Sequence, residues 1–224
     1  MAAGSSTAIV ATVDKTSGKL DVANLGDSVV AVVRRGEIVV ATGDDPQQHK
    51  FNAPYQLAVI PPERANKGQL NDSPTMAQLL GAELEPGDVV FMATDGYSDN
   101  VFREMTIDVI KRACRAINPS VAKPGGAAGV DAGAPASSVD TATFVADLAE
   151  QLLAAAFNRS ISPNAPTPFQ MNAEINGHRW TGGKRDDITV MVALVEDASA
   201  SARTSSAGIS SPALAARCVN ADVD

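Results

Sequence analysis

Three aspartate-bearing turns stand at the ends of apolar runs: Gly26-Asp27-Ser28, Thr94-Asp95-Gly96 and Arg185-Asp186-Asp187-Ile188-Thr189. Taken singly, each is ordinary turn chemistry, because a short carboxylate readily bonds its own backbone. Taken together, they offer oxygen-only donors from separate strand ends. Hard cations such as Mg²⁺ and Mn²⁺ select that donor set, since they prefer carboxylate and water to imidazole or thiolate. The chain has two histidines and two cysteines in all, which leaves little for a zinc site of nitrogen and sulfur. Cys114 falls in a predicted helix and Cys218 in a polar tail, so they are not read as a disulfide framework.

A cation site needs rigid elements to hold it. Thr7–Val13 reads as a strand, KTSG as a turn and Lys19–Asn24 as the returning strand. Ser28–Arg34 and Glu37–Ala41 follow, joined by the Gly-bearing hairpin RRGE. Strands this short and this close predict an antiparallel meander rather than parallel βαβ units. After a polar loop comes a brief apolar piece, Ala58–Ile60. NDSPTMAQLLGAELEPGDVV is expected to hold a short helical or turn segment, and Asp88–Thr94 is a buried strand that runs into Asp95. Met105, Val109, Ile110, Ala113 and Ile117 recur near the helical period and predict a helix within Asn100–Ile117. Phe144, Leu148 and Leu152 do the same for Thr141–Phe157. Asn158–Arg185 reads as a polar stretch, and Ile188–Val195, apolar almost throughout, as a strand buried on both faces.

The 224 residues are 45% hydrophobic, enough for a sizeable core, most simply in one domain over residues 1–196. Aromatics are only 4%, so Val, Ile, Leu and Ala must build that core. The formal charge of −8 argues against sequence-blind nucleic-acid binding, which needs a basic surface. No apolar run approaches the ~20 residues of a membrane span. Residues from about 118 to 139 are rich in Gly, Ala, Pro and Ser and read as a low-complexity insert. Residues 197–224 read as a disordered tail. MAAGSST carries neither a signal-peptide nor an Arg-rich transit pattern and leads straight into AIVATVD. The expectation is that the first elements of the fold lie upstream of it.

Five blocks, GSSTAIVATVD, ANLGDS, QQHKFNAPYQL, LEPGDVVFMATDGYSDNV and GGKRDDITVMVALV, resemble in order those of metal-dependent serine/threonine protein phosphatases of the type 2C family. They look most like its short mitochondrial and plastid branch. The resemblance implies an α+β fold, here an incomplete α-β-β-α sandwich of two mostly antiparallel sheets flanked by helices. It implies hydrolysis of phosphoserine or phosphothreonine in a phosphoprotein substrate by a water held on Mg²⁺ or Mn²⁺, and residence in a mitochondrion or plastid. It assigns Asp95 and Asp186 as metal ligands and Asp27 to a weaker third metal, or else to holding its own turn. Gly96 is implied to pack closely beside the ligand, Asp187 to support the site from behind, and Asp99 with Asn100 to cap the following helix. The family's earlier strands and their metal-bridging Asp-Gly pair have no counterpart here, which sets a truncated phosphatase against a second reading, a non-catalytic binding module.

An aspartyl-phosphate mechanism at Asp95 fares poorly, because Tyr97 stands where that chemistry needs a second Asp. His49 is expected in a structural or substrate-side loop rather than as a general acid. Lys184 and Arg185 are expected on a solvated basic face, with His178 and Trp180 as packing or surface residues.

Overall fold

The computed structural model describes residues 3–42, 46–64, 68–117, 140–196 and 213–223. The insert at about 118–139 and the stretch 197–212 lie outside them. The strands β1 (Gly4–Ser6), β2 (Ala8–Val13), β3 (Lys19–Leu25), β4 (Val29–Arg34) and β5 (Glu37–Ala41) come first. Three short pieces follow in the polar loop: β6 (Gln48–Lys50), β7 (Ala53–Pro54) and β8 (Leu57–Val59). β9 (Gln78–Glu83) and β10 (Val89–Ala93) lead into helices α1 (Asp95–Ser98), α2 (Arg103–Ile117), α3 (Thr141–Ser160) and α4 (Pro168–Ile175). β11 (Ile188–Glu196) and β12 (Ala213–Ala221) close the chain. The RRGE hairpin turns on Arg35 and Gly36, with φ of 51° and 82°, the paired positive angles that a type I′ turn demands and glycine meets without strain.

β12-β11-β10-β4-β5 form a five-stranded sheet and β2-β3-β9 a three-stranded one, with neighbours antiparallel throughout. Alternation gives the larger sheet two apolar faces. Val30, Val32, Val90, Ala193 and Val195 pack on Leu20 and Val22 of the smaller sheet. Val89, Phe91, Ala93, Val190 and Val192 face the other way, against Ile110 of α2 and Leu148 and Leu152 of α3. The result is the predicted α+β sandwich of two antiparallel sheets, with β11 covered on both faces. The outer face of the smaller sheet carries the cross-strand row Val10, Ala23 and Leu79, in which Val10 is 60% and Leu79 79% exposed. Among the described residues no helix is long and apolar enough to cross a membrane.

Three expectations need correction. The short helical or turn segment is present as the 3₁₀ turn Pro74–Met76, but a strand that was not expected, β9, follows it, because Leu80 and Ala82 alternate inward with period two. Within the supposed polar stretch, Thr167 accepts a bond from the Gln170 amide at 3.2 Å and caps α4, with Phe169 and Ala173 as its only buried anchors. The tail is not disordered throughout: Ala213–Ala221 is a strand in continuous register with Ile188–Glu196. The open edge of β11 offers a full ladder of backbone partners there, and Ala215 and Val219 pack against the helix-side core.

An ion pair between the half-buried Arg34 and the buried Asp88 pins the β9–β10 turn. The Asp88 side chain has no exposed surface, and it accepts from Arg34 Nε and Nη2, both at 2.8 Å, and from the Glu85 amide at 2.8 Å. Removing one partner of such a pair strands a charge in the interior. Arg34→Met is therefore expected to lower the unfolding free energy by about 3 kcal/mol or more, read by urea denaturation. Wild-type stability would show that Asp88 is satisfied without the guanidinium.

Candidate functional site

The three aspartate turns meet because their strands are neighbours. The register sets Ala93 of β10 opposite Val29 of β4 and Val190 of β11. The segments carrying Asp27, Asp95 and Asp186 therefore leave the larger sheet at the same end. Thr94 ties two of them together: its amide donates to the Thr189 carbonyl at 3.1 Å, and its hydroxyl accepts from the Thr189 amide at 3.0 Å. The same hydroxyl donates to the Asp187 carbonyl at 3.3 Å. Gly96 follows immediately, and a Cβ there would overlap the Asp187 carbonyl. The close approach of α1 to the start of β11 is possible only without a side chain at that position.

Asn100 fixes the third side. It is fully buried and donates from Nδ2 to the carbonyls of Gly96 and Lys184, both at 2.8 Å. Its Oδ1 accepts from the Lys184 amide at 2.9 Å. Asn100 is thus a clamp between α1 and the loop before β11, and not the helix cap that the resemblance implied; α2 begins only at Arg103. Arg159 Nε adds a bond to the Asn100 carbonyl at 2.7 Å.

This clamp presents the residue on which the acids converge. Lys184 Nζ lies 2.9 Å from Asp95 Oδ2, 2.7 Å from Asp99 Oδ2 and 3.1 Å from Asp186 Oδ2, with its side chain only 12% exposed. The solvated basic face expected for Lys184 is wrong. Its inward path follows from Gly182 and Gly183, which press against the backbone of Ser162 and Pro163 and of Arg159 and Ser160 too closely for any Cβ. That glycine pair directly before a lysine was the available signal. The lysine also sits 5.0 Å from the centroid of the Phe169 ring.

One ammonium cannot compensate this many acids. Burial raises the Asp27 carboxyl to about 6, with the Asp95 charge adding to it. Burial likewise raises Asp99 to about 6 against the pull of Lys184. Burial alone would lower the Lys184 ammonium, but the Asp99 and Asp95 charges outweigh it and hold it charged. A raised native pKa means that the native state binds more protons than the unfolded chain between the ordinary value and the shifted one. The contribution of Asp27 and Asp99 to metal-free stability therefore falls as pH rises from about 4 to about 6. Asp27→Asn should melt above the wild type near pH 7 in chelator and together with it below about pH 4. Equal melting temperatures at both pH values would show that Asp27 carries no such penalty.

The donor chemistry suits a hard cation: carboxylate oxygens from three side chains converge on one point. Asp95, Asp99 and Asp186 are the residues that could hold it, with Asp27 adding charge nearby. The separations to Nζ are hydrogen-bond lengths, longer than the roughly 2.1 Å of a Mg²⁺–oxygen bond. Accordingly, among the described residues no group of His, Cys, Asp or Glu is set out as a metal cage by itself. Asp187 points to solvent and enters through its backbone. His49 lies elsewhere, its Nε2 3.0 Å from Asp72 and its ring against Tyr55. His178 stacks on Phe51, and Trp180 meets Phe169 edge-on.

No protein-family model matches the chain, but curated relatives do. A human protein phosphatase PTC7 homolog is 37% identical over 194 residues, 87% of this chain and 55% of that protein. The Xenopus laevis PTC7 homolog is 36% identical over 87% of this chain and 56% of its own length. Probable protein phosphatase 2C 55 of Arabidopsis thaliana is 35% identical over 86% of this chain and 33% of its own. The chain spans about half the length of the animal relatives it matches. Among solved structures, the photosystem II phosphatase PBCP superposes with a TM-score of 0.63 at 26% identity, covering 88% of this chain and 66% of that one.

Proposed function

The chain belongs to the type 2C family of protein phosphatases, and from that premise we propose that it serves the metal-dependent hydrolysis of phosphoserine and phosphothreonine in proteins. The observation that carries the reading is the meeting of Asp95 and Asp186, which match two of the family's ligand motifs from distant parts of the sequence, within 3.1 Å of one ammonium. Mg²⁺ or Mn²⁺ bound by such carboxylates supplies an acidified water and neutralises phosphoryl charge.

The chain's own residues would bind and orient. Asp95 and Asp186 are the proposed ligands, and Asp27 the proposed third-site ligand. Thr94 and Asn100 hold the two ligand-bearing segments in register. A cavity of about 450 Å³ borders Asp27 and Asp99 and is walled by Phe51, Phe102, Arg103 and Phe169. It supports the reading by giving a phosphorylated side chain a way to the acids.

A second reading, a fold that binds phosphoprotein without turning it over, draws on the ammonium that stands among the carboxylates. Phosphate release from a phosphothreonine peptide in Mn²⁺ separates the two. Asp95→Asn and Asp186→Asn are each expected to lower turnover roughly 10²- to 10³-fold, the scale of losing several kcal/mol of charge stabilisation. Undiminished turnover in either variant would sink the phosphatase assignment of these ligands. Peptide binding with no turnover in the parent chain would favour the binding module.

A further inference from the structure

We infer that Lys184 is an internal counter-ion that occupies the cation position of the acidic cluster in the metal-free chain, and that a divalent cation binds there in exchange with it. The inference deepens the phosphatase reading and rests on it only for which cation enters.

Three observations carry it. First, Nζ is the point on which Asp95, Asp99 and Asp186 converge, at 2.7–3.1 Å. An ammonium and a divalent cation cannot share one such point. Second, the two partners are mismatched in charge. The three carboxylates that meet Nζ carry more charge than a single monovalent cation. A divalent ion compensates that excess better, and burial makes the difference felt. Third, the lysine has somewhere to go. Its backbone amide and carbonyl are both held by Asn100, so the loop stays while the four-carbon stem can swing. Nζ already stands 5.0 Å from the centroid of the Phe169 ring, which is flanked by Phe51 and Trp180 at 5.2 and 5.0 Å. An aromatic face accepts an ammonium favourably, and Phe169 also lines the neighbouring cavity.

Lys184 is therefore a positioning residue: it keeps the carboxylates drawn together before the metal arrives and leaves when it does. Lys184→Met keeps the stem and removes the charge. In chelator this variant should melt below the wild type, because its carboxylates repel without compensation. It should bind Mn²⁺ about tenfold tighter by calorimetry, and Mn²⁺ should raise its melting temperature more than the wild type's. Lys184→Arg, which keeps the charge, should retain the weaker Mn²⁺ affinity. Unchanged or weakened Mn²⁺ affinity in Lys184→Met overturns the exchange. If that variant does not fold, the Nζ resonance of ¹⁵N-lysine in the wild-type chain decides. A protected ammonium signal lost on adding Mg²⁺ supports exchange, and one unmoved by saturating Mg²⁺ overturns it. None of these readouts uses turnover, so loss of phosphatase activity with cation exchange intact would count against the enzyme reading alone.

Discussion

Burying a lysine is costly unless carboxylates surround it, and crowding carboxylates is costly unless a cation joins them. The contact of Lys184 with Asp95, Asp99 and Asp186 meets both conditions at once, and the rest of this end of the molecule is arranged around it. The glycine pair before it steers the chain inward. Asn100 seals the backbone on both sides of the lysine. Thr94 and Gly96 bring α1 against the start of β11, so that acids from opposite parts of the sequence reach the same ammonium. The sheet contributes the frame: adjacent strands β4, β10 and β11 end level with one another, and side chains leaving that end cannot avoid meeting.

Most of this frame was legible in the sequence. The spacing of apolar residues places β2 to β5, β10, β11, α2 and α3 within a few residues of where they lie. The reason is that these elements have enough buried positions to impose their period. The three acidic turns suggest one cation site by residue type and strand-end position, but nothing local says which strands are neighbours. What escaped notice has a common physical origin. β12 is Ala-rich and carries Arg217, Cys218 and Asn220, so its strand character comes from the partner edge of β11 and not from its own pattern. α4 has two buried anchors and a Thr-Pro start, too few for periodicity to register. β9 alternates in burial, but the exposed Leu79 beside the inward Leu80 blurs its period of two in the sequence.

The site shows the same division. Asp95, Asp186 and Asp27 stand at strand ends, where position along the sequence carries information. Lys184 and Asp99 are charged residues in polar surroundings, and such residues are ordinarily solvated. Only tertiary packing distinguishes a lysine that faces water from one drawn beneath three carboxylates. Asn100 is similar: beside an Asp and before a helix it reads as a cap, while its amide in fact satisfies backbone groups 84 residues away in the chain.

Those long-range bonds bear on how the chain can vary. The Asn100–Lys184 clamp, the Arg159 bond to Asn100 and the β10–β11 ladder join the parts of the molecule that precede and follow residues 118–139 without using that connection. Geometry at the acidic cluster is thus uncoupled from the length of chain between α2 and α3. A change at Asn100, Gly96 or Lys184 acts on the cluster itself.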